Sequence, residues 1–323
     1  VTKTIVIADL DTPCYAAAAV CDNRSVLVKH EPTGKTKVFK NRTEFKNLLK
    51  SKGKSNFEEY SFEDIQEPEP IENACHTLKM GINRILEAIQ PDEVIYVISG
   101  SSNFRDNLPL PTKYKSSRAD MLRPALLGDV REFVKKKYKP LVAQNEEADD
   151  MQVYLGYEEL YKGNKPIAVS IDKDILAYSG LFVLNQDKLE EGIQEIPQLG
   201  YLEIDAKNKV RGKGFLWYCL QHIVGDITDG YKPTDLAGVK FGEKSAYKLL
   251  VNCKTEQEAL LVVKDMYKQW YPDTFTYKDW QGVEHEANYK SILDLYFKCC
   301  RMKSHEFDEL NSEEFFAKYG VEL

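Results

Sequence analysis

The chain has 323 residues, with 44 Lys and Arg against 51 Asp and Glu and a formal net charge of −7. This length suits one large or two modest domains, and the lack of any run of 18 apolar residues or of a signal-peptide pattern in residues 1–30 leads us to expect a soluble protein. Seven cysteines without a C-x-x-C point to reduced thiols in a cytoplasm, and five scattered histidines offer no zinc spacing. The negative total argues against a nucleic-acid partner only until its distribution is read. Residues 24–54 hold ten Lys/Arg against two acids, residues 101–144 ten against four, and residues 141–202 four lysines against twelve acids.

In chain order, KTIVIAD (Lys3 to Asp9) is a β-branched apolar run expected to form a buried parallel strand, with Asp9 at its carboxyl end. Asp11 follows, a candidate helix N-cap, and then an alanine-rich helix from Tyr15 to Val20. Residues 24–54 read as a hairpin turning at Glu31–Gly34, followed by a basic helix. Its role is open between an accessory DNA contact and a surface ornament. Residues 55–70, acidic and with two prolines, read as a loop or weak linker. The apolar set from Ile71 to Ile89 predicts a helix buried on one face, and Glu93 to Ser99 a second buried strand ending at Gly100.

Lys113-Tyr114-Lys115-Ser116-Ser117-Arg118 puts Lys115 and Arg118 three apart, on one face if helical, where they would grip a phosphate. Tyr114 is a candidate to stack on a base. Residues 106–125 have two prolines, Pro109 and Pro111, before this basic segment, and mobility is expected there. Glu146-Glu147-Ala148-Asp149-Asp150 precedes a helical pattern; four acids in five positions exceed what capping requires. PIAVSI (Pro166 to Ile171) predicts a third buried strand, followed at once by Asp172-Lys173-Asp174. Phe182–Leu184 reads as a further strand, then a long loop, then an edge hairpin from Tyr201 to Lys209.

Phe215 to Ile223 predicts a helix in which His222 is a packing or surface residue. It leads into GDITDG, with Asp226 and Asp229 three apart, and then Gly238-Val239-Lys240-Phe241-Gly242 opening a helix at Glu243-Lys244-Ser245-Ala246. Glycines let backbone approach a ligand closely, and a helix N-terminus suits a phosphate. Beyond Leu250 the pattern predicts helices at 255–270, 287–302 and 312–319, with a loop at Tyr271–Gln281.

GDITDG followed by GVKFGEKSA resembles the helix–three-turn–helix of the 5′-nuclease family: flap endonucleases, the 5′ nuclease domain of bacterial DNA polymerase I, and bacteriophage 5′→3′ exonucleases, the last most similar. The YKxxR spacing at Tyr114–Arg118, the EADD string and the D-K-D are similar to that family's segments, in its order. The resemblance spans most of residues 4–250 and fails at 24–70 and after about 255. It implies an α/β fold with a mostly parallel central sheet flanked by helices, a PIN-like or resolvase-like nuclease core. A helical arch near 106–140 and a C-terminal helical region would complete it. The expected domains are a core over 1–210 and a DNA-binding region over 211–323, with the helix–three-turn–helix at 213–251.

The resemblance further implies a 5′→3′ exonuclease or flap endonuclease using two Mg²⁺ or Mn²⁺ ions in replication or repair. Glu147, Asp149 and Asp150 would serve the first ion and Asp172, Asp174, Asp226 and Asp229 the second, with Asp9 close to both. Lys115 and Arg118 would act on the phosphate. Gly238, Lys240, Gly242, Lys244 and Ser245 would hold duplex DNA, with a K⁺ ion there as a further candidate cofactor. Partners would be DNA with a 5′ end, flap or nick, and RNA–DNA hybrids, bound by a monomer with no membrane association. The setting would be a bacterial host's cytoplasm if the chain is phage-encoded. Where relatives carry an aspartate this chain has Gly100, expected to face the first metal and weaken it. Two rivals stand beside this reading: a non-catalytic structure-specific DNA-binding protein with a decayed site, and an RNA-directed nuclease of the PIN-like fold.

Overall fold

The structure, a computed structural model, describes residues 2–53, 56–118 and 121–323. Strand β1 (Thr4–Asp9) is followed by helix α1 (Asp11–Val20), which begins earlier than expected because Asp11 and Pro13 both suit a first helical turn. Strands β2 (Asp22–His30) and β3 (Lys35–Phe39) form the expected hairpin, with Gly34 at φ +68° in the turn. Helix α2 (Arg42–Ser51) is capped by Asn41, whose side chain accepts from the Glu44 amide at 2.8 Å.

The expected linker is instead strand β4 (Tyr60–Pro68), paired antiparallel with β2 along its whole length. Its alternation of Tyr60 and Phe62 with polar neighbours is masked by six acids in 55–70 and by Pro68 and Pro70. Positions 54 and 55, where the basic helix meets that stretch, lie outside the described residues.

Helix α3 (Ile71–Ile89) and strand β5 (Glu93–Ile98) follow as predicted. The arch stretch holds two single 3-10 turns, Phe104–Asn107 and Ser116–Arg118, and helix α4 (Leu127–Tyr138); positions 119 and 120 lie outside the described residues. Then come β6 (Leu141–Val142), α5 (Ala148–Tyr161), β7 (Lys165–Val169) and β8 (Phe182–Leu184). The expected long loop contains β9 (Gln194–Glu195), and the edge hairpin is β10 (Tyr201–Ile204) with β11 (Val210–Lys213). Helices α6 (Phe215–Val224), α7 (Glu243–Leu250) and α8 (Glu256–Trp270) match the sequence pattern. The expected loop after Trp270 is partly a hairpin, β12 (Phe275–Lys278) with β13 (Glu284–Ala287), before α9 (Tyr289–Cys300) and α10 (Ser312–Lys318).

The central sheet has the order β6-β5-β1-β7-β8-β9, parallel except for β9, with helices flanking it. Its inner strands bury Ile5, Val6, Ile7, Val97, Ile98 and Ile167, each worth roughly 1.5–3 kcal/mol. Gln152 of α5 donates to the carbonyls of Ile7 at 2.9 Å and Val169 at 3.0 Å, fixing that helix across β1 and β7. By internal contacts the chain forms two compact units, one of Val1–Leu10, Ile85–Met121 and Pro140–Leu323, the other of Asp11–Arg84 and Leu122–Lys139. All seven cysteines are free, and among the described residues no helix is long and apolar enough to cross a membrane.

Candidate active site

In a parallel sheet, side chains at the carboxyl ends of the strands share one edge. Asp9 stands at the end of β1 and Asp172 three residues beyond β7, with Glu147 as N-cap of α5 and Asp149 in its first turn. The loop after α6 supplies Asp226 and Asp229. The first compact unit therefore gathers these acids into one arc. Burial and the charges of Asp9, Asp172 and Glu147 push the Asp149 carboxyl well up. Asp174 is pushed up to about 7 by burial and by Asp172, with Asp226 and Asp229 adding to it and Lys173 opposing. Asp172 acts on both, so the expected first and second groups are continuous.

Three cations sit among the acids. Lys115 hydrogen-bonds Glu147 and lies 3.8 Å from Asp229; Arg118 reaches Asp229 at 2.6 Å. Lys173 lies 3.0 Å from Asp226. Burial works against the charged form of Asp226, but bonds from Thr228 and the Lys173 charge hold its carboxyl below the ordinary range. Asp229 stays raised, burial outweighing Lys115 and Arg118. As the side chains stand, no group of three His, Cys, Asp or Glu among the described residues closes to metal-holding geometry.

The basic segment is not a helix. It enters its 3-10 turn through Lys115 at φ +53°. It is pinned to the GDITDG loop: the Lys115 amide donates to the Asp229 carbonyl at 2.7 Å and the Ser117 hydroxyl to the Thr228 carbonyl at 3.0 Å. Glycine is required opposite, because a Cβ on Gly230 (φ +81°) would come within 3.3 Å of the Lys113 carbonyl. Leu110 and Tyr114 are buried, and the Trp280 amide and Tyr277 hydroxyl donate to the carbonyls of Leu110 and Pro109. The expectation of few apolar anchors in 106–125 is thus corrected for 106–118.

Three further expectations are overturned. Asp150 is fully buried and its oxygens are taken: Arg105 donates to both, at 2.6 and 3.0 Å, and the amides of Glu147 and Lys303 donate at 3.1 and 3.0 Å. A carboxylate has about four lone-pair sites, so none remains for a metal. Tyr114 is 4% exposed, with its hydroxyl 3.1 Å from Glu147 and 3.2 Å from Asp229, so no base can stack on it. It orients the acids instead. A Cβ at Gly100 would meet the Ala143 carbonyl at 2.2 Å, so that position faces the backbone after β6 and not the acids. Its neighbour Ser99 caps α5, accepting from the Ala148 amide at 3.1 Å.

The sequence reading missed Arg105, whose side chain also donates to the carbonyls of Lys298 and Arg301, at 3.1 and 2.8 Å, where α9 ends. No periodicity marks a buried arginine in a 3-10 turn. It missed Gln221 too, which donates to Asp174 from α6. Gly238, Lys240, Gly242, Lys244 and Ser245 are all exposed around successive turns and the start of α7, with Gly238 at φ +63°. A cleft of about 710 Å³ opens beside Asp172 and Lys173, with Tyr201, Lys207, Arg211 and Trp217 in its wall.

No protein-family model matches the chain, and no curated protein does either. Among solved structures it is similar to the bacteriophage T5 D15 protein co-crystallised with metal ions: 14% identity, TM-score 0.49, covering 98% of this chain and 97% of that one. A T5 5′-exonuclease with zinc bound is 14% identical with TM-score 0.44, covering 83% of this chain and 88% of that one. A T5 flap endonuclease in a complex with DNA and metal ions gives 13% and 0.43 over the same shares. At this level of identity and superposition, the function of the chain has to be argued from its own residues.

Proposed function

We propose that the chain is a divalent-metal-dependent 5′ nuclease of the 5′-nuclease family. It would cut DNA phosphodiesters at 5′ ends, flaps or nicks in replication or repair, with RNA–DNA hybrids as further substrates. The observation that carries this reading is the arc of Asp9, Glu147, Asp149, Asp172, Asp174, Asp226 and Asp229, in which Asp149 and Asp174 are held against burial and like charge. Such an arrangement costs stability, so a role that uses the charge fits it better than a packing role.

The donor set fits Mg²⁺ or Mn²⁺, since every candidate ligand is a hard carboxylate oxygen. Glu147 and Asp149 would serve one ion and Asp174, Asp226 and Asp229 the other, with Asp9 beside the first and Asp172 shared; Asp150 drops out. Ions bound there would supply a water of lowered pKa and charge for the leaving oxygen. The chain's own part is positional. Lys115 and Arg118 now hold Glu147 and Asp229. Released by a competing cation, they would turn to the scissile phosphate and offset its growing charge. Gly238, Lys240, Gly242, Lys244 and Ser245 would hold the duplex backbone without reading sequence.

The test is cleavage of end-labelled flap, nicked, blunt and hybrid substrates with and without Mg²⁺ or Mn²⁺. Metal-dependent release of 5′ mono- or oligonucleotides is expected. Binding of all four without cleavage in either metal would favour the second reading, a non-catalytic DNA-binding protein. That reading has the loss of Asp150 to Arg105 in its support.

A further inference from the structure

The sheet β3-β2-β4 with α2 holds none of the candidate site residues. It is built as a rigid platform. Phe45 of α2 packs edge-on against Phe39, Tyr60 and Phe62, with ring centroids 4.9–5.6 Å apart, over buried Val26 and Val28. Phe45 and Leu49 face this core, which turns Lys46 and Lys50, one helical turn apart, outward. Lys35 and Lys37 are four and two positions from Phe39 along β3, and so share its side of the sheet, the one that α2 covers.

Charge on this face is segregated. Most of its acids are engaged: Asp64 with Arg42 at 2.6 Å, Glu59 with His30 at 3.3 Å, and the Glu44 carboxylate with the Lys40 amide at 2.7 Å, while Glu58 in the short turn Phe57–Glu59 is exposed. Among the described residues, no acid lies within 4 Å of Lys35, Lys37, Lys46 or Lys50, and all four are exposed. An ordinary solvated surface intersperses its signs. Here four uncompensated lysines stand on a stiff base.

We infer that this face is a phosphate-binding surface for duplex nucleic acid, gripping the backbone through Lys35, Lys37, Lys46 and Lys50. The identity of the polyanion rests on the nuclease reading; the surface itself does not. Such contacts release counterions and are felt as salt dependence, with no sequence preference.

The experiment compares the full chain with a Lys35→Ala, Lys37→Ala, Lys46→Ala, Lys50→Ala variant, measuring Kd for a labelled duplex against salt. All four side chains are exposed, so the variant should fold, which a melting curve checks. Expected are about tenfold or greater weakening near 100 mM salt and a log–log slope shallower by about 0.9 per lost contact. A variant with Arg at all four positions should restore both. The single-turnover cleavage rate at saturating DNA should be unchanged. An unchanged Kd and slope in the alanine variant, with cleavage intact, overturns this inference alone and leaves the face to an acidic protein. Failure of the parent chain to bind any duplex overturns this inference and the nuclease reading together.

Discussion

Arg105 and Asp150 are 2% and 0% exposed and exchange two hydrogen bonds, with Asp150 also capping α5 through the Glu147 amide. Breaking such a buried pair strands a charge, so Arg105→Met or Asp150→Asn should cost about 3–5 kcal/mol in urea unfolding. Asp149, one residue away, should behave oppositely. Burial and three neighbouring acids oppose its charge, so Asp149→Asn should raise the melting temperature of metal-free protein while abolishing cleavage. Equal destabilisation by both aspartate changes would mean that the two play the same structural part. His222 is a third case: fully buried, with its Nε2–H donating to the Leu293 carbonyl at 3.2 Å and its Nδ1 facing the Tyr218 hydroxyl at 3.4 Å, its imidazole is pushed down to about 4 by burial. Below its free value near 6.5 the unfolded chain takes up a proton that the folded chain refuses. Stability should therefore fall between about pH 6.5 and 4 and then level off, by roughly 3 kcal/mol from this group. A His222→Phe variant should lose that slope in denaturant titrations, and an unaltered slope would place the titration elsewhere.

At the scale of elements, Gly100 gives the sharpest test. A Cβ there collides with the Ala143 carbonyl, in the segment whose amide donates to Ile98 at 2.9 Å. Gly100→Ala should thus cost about 1–3 kcal/mol by overpacking the sheet edge. The metal concentration for half-maximal activity should stay unchanged in whatever folds; a lowered requirement in Gly100→Asp would revive a metal-facing position. The strands most legible in the sequence were β1, β5 and β7, whose apolar runs are long enough to speak for themselves. β4 and β12 look like loops in the sequence, and β13 carries no strand signal there, because their apolar positions are few and their partners supply the pattern. The charge spacing of 113–118 suits a helix face, whereas its conformation is set by the loop it docks on.

For the whole molecule, the acid arc draws on β1, α5, the loop after β7 and the loop after α6, so its electrostatics belong to the fold. If the arc binds divalent ions, Mg²⁺ or Mn²⁺ should raise the melting temperature and a chelator should lower it. Asp172 acts on both Asp149 and Asp174, so Asp172→Asn should remove more of that gain than any single change at Asp226. An identical thermal response in the Asp172 and Asp226 variants would argue that the arc is two separate sites. Duplex affinity should survive Asp172→Asn and weaken in Lys240→Ala or Lys244→Ala, with the salt slope shallower by about 0.9 for each lost contact.

The sequence by itself determined the α/β alternation, the order of the acid-bearing segments and the location of most of the acids at strand and helix ends. These follow from local periodicity and from where a strand or helix must stop. Only the tertiary structure decided which acids keep their charge for a ligand. Asp149 and Asp150 are adjacent and identical in type, yet one turns to Asp9 and Asp172 and the other to a buried arginine 45 residues earlier in the chain. A side chain's partners across such distances are fixed by packing, and no window of sequence contains them.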